Sequence, residues 1–206
     1  MTEELPVRRT QVERRALSRS ALIEAAAIRL SAAGYAGLVL EQVARDAGYT
    51  RGAVYHQFAG KDELALAVVE WVAGLWDAEV GRCGKDQSEP DEALLAVARA
   101  HALFCRRPIA QVMLTLRIEF LGQDHPVGTA VADAVGDLET WCAELITQGR
   151  ATGRIPDGPP AHSTASAFLA VLEAVGIHGG GQPPHDVELA ERAARGVLGL
   201  PAVTGP

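Results

Sequence analysis

Residues 34–64 read GYAGLVLEQVARDAGYTRGAVYHQFAGKDEL, and this stretch decides the fold. Two short apolar segments, around residues 40–47 and 51–58, hinge at Gly48. Ala44 lies four residues before Gly48, and Val54 six after it. A helix-turn-helix needs that set: a small residue where the two helices meet, a glycine where positive φ is cheap, and an aliphatic anchor on the second helix. Thr50 falls at the N-cap of the second helix, whose first N–H groups and dipole then point outward at an anion. Gly52 inside that helix costs about 1 kcal/mol relative to alanine, which close approach of backbone to a phosphate would offset. Tyr55 and His56 add hydrogen-bonding tips, and Lys61 opens the next helix with a positive charge. Phe58 fits the core beneath the second helix.

Charge supports this placement only when the chain is divided. The 206 residues carry a formal net charge of −7, which alone argues against a polyanion partner. Residues 1–61 nevertheless carry a net +3, rising to +5 over residues 7–61, and residues 62–206 carry −10. Arg8, Arg9, Arg14, Arg15 and Arg19 lie upstream of the motif, either straddling a DNA backbone or forming a solvated helix face. The apolar content of 48% excludes a disordered acidic chain.

Helical periodicity governs the rest. Ile23, Ala26, Ala27 and Leu30 mark a helix over residues 10–33, begun by a capping box of Thr10 and Glu13 or later at Ser18, with Gly34 as its stop. From Lys61 to about Val80 a long helix is apolar on two sides, Leu64, Val68, Trp71 and Leu75 against Leu66, Val69, Ala73 and Trp76. A helix of that kind must pack on two sides and fits a strut between the two parts. Residues 81–90, GRCGKDQSEP, read as a loop. Further helices fit residues 91–106, 108–121, 127–151, 161–178 and 186–199, the last two separated by GGGQPP at 179–184. No run alternates with period two. The expectation is an all-α chain of about nine helices, divided into residues 1–60 and 61–206.

Cys83, Cys105 and Cys142 form no CxxC, so neither a disulfide framework nor a zinc cluster is expected, and a reducing cytoplasm fits best. The N-terminus has no apolar signal region, and no uncharged apolar run of membrane-spanning length occurs. No nucleophile with its base, paired carboxylates or phosphate loop stands out, and GGGQPP lacks the Lys and Ser/Thr of a P-loop. Neither an enzyme nor a cofactor is expected. His101 and Cys105, at i and i+4, are either a metal pair or a core histidine beside a buried cysteine; the second is the expectation.

Over roughly residues 14–75 the chain resembles the DNA-binding domain of the tetracycline-repressor (TetR) family of bacterial one-component regulators. The match rests on Gly34-Tyr35, Val43-Ala44, Ala47-Gly48, Thr50-Arg51-Gly52, Val54-Tyr55, Phe58 and Lys61-Asp62-Glu63-Leu64. The resemblance implies phosphate contacts from Thr50, Tyr55, His56 and Lys61, with Arg51, Gly52 and Ala53 approaching base edges. Leu38-Val39 stands where the family has a Thr or Ser pair, so no phosphate contact is assigned there. Gln57 replaces a common His or Tyr, and Tyr49 a smaller aliphatic.

The resemblance also implies a homodimer on double-stranded operator DNA, without membrane association, and a small-molecule effector in the C-terminal helices. Trp71, His101, Phe104, Met113, Arg117, Trp141 and Phe168 are its candidate pocket, although core packing uses the same residue types. Arg117 or Glu119 could enter a cavity as an orienting group or lie on a solvent face. The candidate dimer face comprises Phe168, Val171, Leu172, Val175, Ala190, Ala194 and Val197. The function expected is a ligand-responsive repressor; an activator without effector, or a helical carrier or enzyme retaining the motif, are the alternatives.

Overall fold

The computed structural model describes residues 10–178 and 183–202; Arg8, Arg9 and most of the GGGQPP stretch lie outside the described residues. Among those described there is no strand, in keeping with the all-α expectation. The helices are α1 (Gln11–Ala33), α2 (Leu40–Asp46), α3 (Arg51–Gln57), α4 (Lys61–Trp76), α5 (Arg82–Lys85), α6 (Pro90–Phe104), α7 (Val112–Glu119), α8 (Pro126–Ala151), α9 (Ala161–His178) and α10 (Asp186–Leu198).

Caps set both ends of α1 as the sequence suggests. Thr10 Oγ1 accepts from the Glu13 N–H, and the Thr10 N–H donates to the Glu13 carboxylate, closing a capping box on α1. Gly34, at φ 66°, ends it. Beneath α1, Leu22, Ile23, Ala26, Ala27 and Leu30 enter a core continuous with that of the C-terminal helices. The two-sided α4 packs on α1 and on α8, so it belongs to both parts.

The stretch 81–90 is a correction. A π-helical turn, Asp77–Gly81, carries α4 straight into α5, and helix persists to Lys85. The glycines that suggested a loop serve close packing instead. A Cβ at Gly84 would sit 2.8 Å from Trp141 Cη2 and 2.8 Å from Val97 Cγ2, so only glycine lets α5 lie this close to α6 and α8. Gly84→Ala is therefore expected to lower unfolding stability by about 1–3 kcal/mol through overpacking, despite alanine's better helix propensity. A denaturation curve matching the unsubstituted protein's would show that α5 can give way.

At the far end, Arg106 grips Asp186 with two contacts of 2.9 Å, fixing α10 against the end of α6. The guanidinium holds the Asp186 carboxyl below the usual carboxylate range.

Candidate nucleic-acid interface and helical cavity

In the helix-turn-helix the residues that shape the turn do what their types suggest. Ala44 and Val54 are buried where α2, α3 and α1 meet, and Gly48 turns the chain at φ 76°. The Tyr49 N–H donates to the Ala44 carbonyl at 2.8 Å, closing the turn. Leu38, standing where a hydroxyl pair was absent, is buried as core. Gln57 Nε2 reaches back to α1, donating to the Arg15 carbonyl at 3.2 Å and to Ser18 Oγ at 3.0 Å.

Thr50 occupies the N-cap position of α3, but its side chain makes no capping bond. Thr50, Arg51, Gly52, Tyr55 and His56 are exposed and Ala53 is half-buried. Nothing inside the protein demands glycine at 52: a Cβ there would meet only Thr50 Oγ1, at 3.9 Å. Tyr55 is 44% exposed. Phe58 is core, with the Arg19 guanidinium 4.7 Å above its ring. Arg14 and Arg15 lie exposed on α1. Lys61 is not a free solvated charge, since its Nζ stands 4.1 Å over the Tyr35 ring and 3.4 Å from the Ala36 carbonyl.

Sequence reasoning missed Glu41. Its Oε1 lies 3.1 Å from Arg51 Nε and accepts from the Tyr55 hydroxyl at 3.1 Å. The Arg51 guanidinium also sits 5.4 Å over the Tyr55 ring. One carboxylate oxygen thus gathers two residues expected to face DNA.

Glu119 was missed as a link. Its carboxylate accepts from the Tyr35 N–H at 2.6 Å and the Ala36 N–H at 2.7 Å, joining the end of α7 to the turn after α1. Beside it Tyr35 packs edge-on against Phe120 and His125, each at 5.1 Å, and its hydroxyl bonds Asp62 at the start of α4.

Between α4, α6, α7 and α9 lies a cavity of about 90 Å³. His101, Phe104 and Met113 stand on its wall as expected, joined by Val72, Trp76, Leu114, Glu173 and Ile177. Trp71, Arg117, Trp141 and Phe168 do not line it. Phe168 is fully buried core, Trp141 packs at Gly84, and Arg117 reaches the wall only through an ion pair of 2.5 Å with Glu173. Trp71 and Trp76, five residues apart, project about 140° from each other on a helix. On a helix apolar on two sides, sequence alone could not choose between them.

Trp76 Nε1–H donates to His101 Nδ1 at 3.1 Å, and His101 Nε2 lies 3.4 Å from Cys105 Sγ. His101 touches the cavity's space, so its surface is only partly covered, yet protein encloses it. Burial pushes it down to about 4 and the Cys105 thiol up to about 11. The pair therefore rests as neutral imidazole and thiol, unlike an activated nucleophile. Among the described residues, no group of three or more His, Cys, Asp or Glu could hold a metal ion.

The expected dimer face needs correcting. Phe168, Leu172, Ala190 and Ala194 are at most 2% exposed within the single chain, where no partner can reach them. Val171, Val175 and Val197 sit half-buried at the edge. The outward faces instead carry Ala167, Ala170, Ala174 and Ile177 on α9 and Leu189 on α10. Periodicity located the apolar stripes, but the larger side chains turned inward.

Comparison with known proteins places these features. Residues 22–68 match the family model described as bacterial regulatory proteins, tetR family. The HTH-type transcriptional regulator CymR of Pseudomonas putida is 46% identical over 67 residues, which span 32% of this chain and 33% of that protein. A TetR transcriptional regulator from Chloroflexus aurantiacus J-10-FL superposes with a TM-score of 0.76 at 18% identity, covering 91% of this chain and 95% of the other. AibR, solved in complex with isovaleryl coenzyme A and operator DNA, gives a TM-score of 0.73 at 18% identity over 88% of this chain and 98% of its own.

Proposed function

Because this chain belongs to the tetR family of bacterial regulatory proteins through its N-terminal helix-turn-helix, we propose that it is a homodimeric, ligand-responsive repressor acting on a palindromic operator. The single observation carrying this reading is the exposed set Thr50, Arg51, Gly52, Tyr55 and His56 on and before α3, carried on a helix-turn-helix whose Val43, Ala44, Val54 and Phe58 are buried in the core. Each recognition helix would enter one major-groove half-site, and two-fold symmetry would repeat the half-site. The small outward residues of α9, beside Leu189 of α10, suit a helix-on-helix contact with a second copy. The likeness to AibR, whose complex holds an acyl coenzyme A and operator DNA, is consistent with an effector in the C-terminal helices.

Cavity size supports a definite mode of response. At about 90 Å³ it is far below the roughly 300–1,000 Å³ of ordinary ligand sites, so an effector must push its walls apart. Two of those walls lead to the DNA-binding part. α7 carries Met113 and Leu114 on the cavity and Glu119 on the Tyr35 and Ala36 amides. α4 carries Val72 and Trp76 on the cavity and Lys61 beside Tyr35. Displacing either helix would shift the recognition helices against the operator spacing, provided the effector favours the displaced state.

The test is selection of duplex DNA from a random-sequence library by the full chain, followed by affinity measurements across salt concentrations. The expected result is a symmetric selected site, bound at least about a thousandfold more tightly than scrambled DNA, with affinity falling steeply as salt rises. A metabolite screen by thermal stabilisation, scored for release of that selected duplex, tests the effector arm. A pool that never enriches would remove the operator reading, and stabilising compounds that leave DNA bound would remove the ligand-responsive one.

A further inference from the structure

Glu41 places a negative charge on the surface that should meet a polyanion, and a regulator gains nothing from such repulsion unless the carboxylate does something else. Its Oε1 accepts from the Tyr55 hydroxyl at 3.1 Å and forms an ion pair with Arg51, 3.1 Å from Nε, while the Arg51 guanidinium lies over the Tyr55 ring. We propose that Glu41 is a positioning residue for base readout: its ion pair near Nε, with the Tyr55 ring it anchors, orients Arg51 so that the guanidinium's terminal amino groups face one guanine, and cancels much of Arg51's sequence-blind attraction for phosphates. The proposal rests on the regulator reading above.

The chemistry favours guanine because O6 and N7 form a pair of acceptors in the major groove, matched to two parallel N–H donors. An arginine paired near Nε and laid over a tyrosine ring still offers such a pair, with part of its rotamer freedom already lost before DNA arrives. An untethered arginine on the same helix could instead swing to whichever phosphate is nearest, adding affinity for every sequence and information about none. The carboxylate is ionised for this task. Its own backbone N–H, then the Tyr55 hydroxyl, then the charges of Arg51 and Arg45, hold Glu41 below the usual carboxylate range. Glu41 also sits in the first turn of α2, where an acid suits the helix dipole, so a purely structural role is the competing explanation.

Glu41→Gln in the full chain separates the two, because glutamine keeps the shape and an acceptor for Tyr55 but loses the charge. The probes are the duplex selected by the unsubstituted protein, its single-base variants and a scrambled duplex of the same composition. The variant should bind the scrambled duplex about three- to tenfold more tightly, with a salt slope steeper by about one phosphate contact. At one guanine of each half-site its discrimination against other bases should fall about tenfold, with other positions unchanged. Arg51→Lys, which keeps the charge without the fork, should lose discrimination at that same guanine while still binding scrambled DNA, and this holds should Glu41→Gln fold poorly. Equal weakening on both duplexes with discrimination intact would assign Glu41 to capping and overturn the proposal. So would discrimination that survives Arg51→Lys. If the unsubstituted protein selects no sequence at all, it is the regulator reading that fails.

Discussion

Phe58→Ala is expected to destabilise the N-terminal helices by about 3–5 kcal/mol and to abolish DNA binding with them. Phe58 is 1% exposed and closes the core from the position just after α3, where its N–H donates to the Val54 carbonyl at 2.9 Å. α2 and α3 have seven residues each, too short to be helical in isolation. They depend on burying Val43, Ala44, Val54 and Phe58 against Leu22, Ala26 and Leu30 of α1. A domain of typical stability, about 5–15 kcal/mol in all, loses a large part of its margin when that ring goes. The loss also removes the surface on which Arg19 lies at 4.7 Å. Hydrogen exchange should quicken over residues 40–58, while α8 to α10 keep their protection because their core is built from other side chains. A variant that melts normally and still binds the selected duplex would mean that the packing of α3 on α1 and α2 holds the recognition helix without the ring.

What was legible in the sequence was whatever local backbone chemistry dictates. Ala44, Gly48 and Val54 announce a helix-turn-helix because a tight turn between two helices admits few other residue types there. Thr10 with Glu13, and the ends of α9 and α10, were readable for the same reason: caps and helix stops act over three or four residues. Gly84 was misread because its reason is not local; the side chains it makes room for, Trp141 and Val97, belong to α8 and α6. Glu41 escaped notice on the same account, and so did the bond of Glu119 to the turn after α1, a residue read instead as facing a cavity or solvent. Tyr55 lies 14 residues from the carboxylate it bonds, and Tyr35 lies 84 from Glu119. On α9 the sequence shows two apolar faces, and only the packing against α8 and α10 decides that Phe168 and Leu172 turn inward while Ala167 and Ala174 stay out.

The second large effect belongs to the cavity. Unfolding stability should fall by about 2 kcal/mol between pH 6.5 and pH 5, and by about 3 kcal/mol in all as pH approaches 4, because His101 is folded in its neutral form. Burial lowers its pKa from 6.5 to about 4. As pH drops through 6.5 the unfolded chain takes up this proton and the folded chain does not, so the unfolded state gains. The stability due to neutral His101 is therefore complete above pH 6.5 and exhausted near pH 4. A proton on Nδ1 would also deprive Trp76 Nε1–H of its acceptor, adding a broken hydrogen bond to a buried charge. Asp186 and Glu41 are held below their ordinary values, 3.8 and 4.5, so their contributions disappear lower on the scale and leave the interval from 6.5 to 5 to be read. The comparison is His101→Phe, which cannot titrate. Its stability at pH 7 should be lower, for want of the bond to Trp76, but its slope between pH 6.5 and 5 should be nearly flat. Denaturant midpoints at half-unit steps measure both, and parallel slopes would mean that His101 is not the group taking up the proton. Any compound that fills the cavity without offering His101 a negative charge should hold the imidazole neutral, so its stabilising effect should weaken as the solution is acidified.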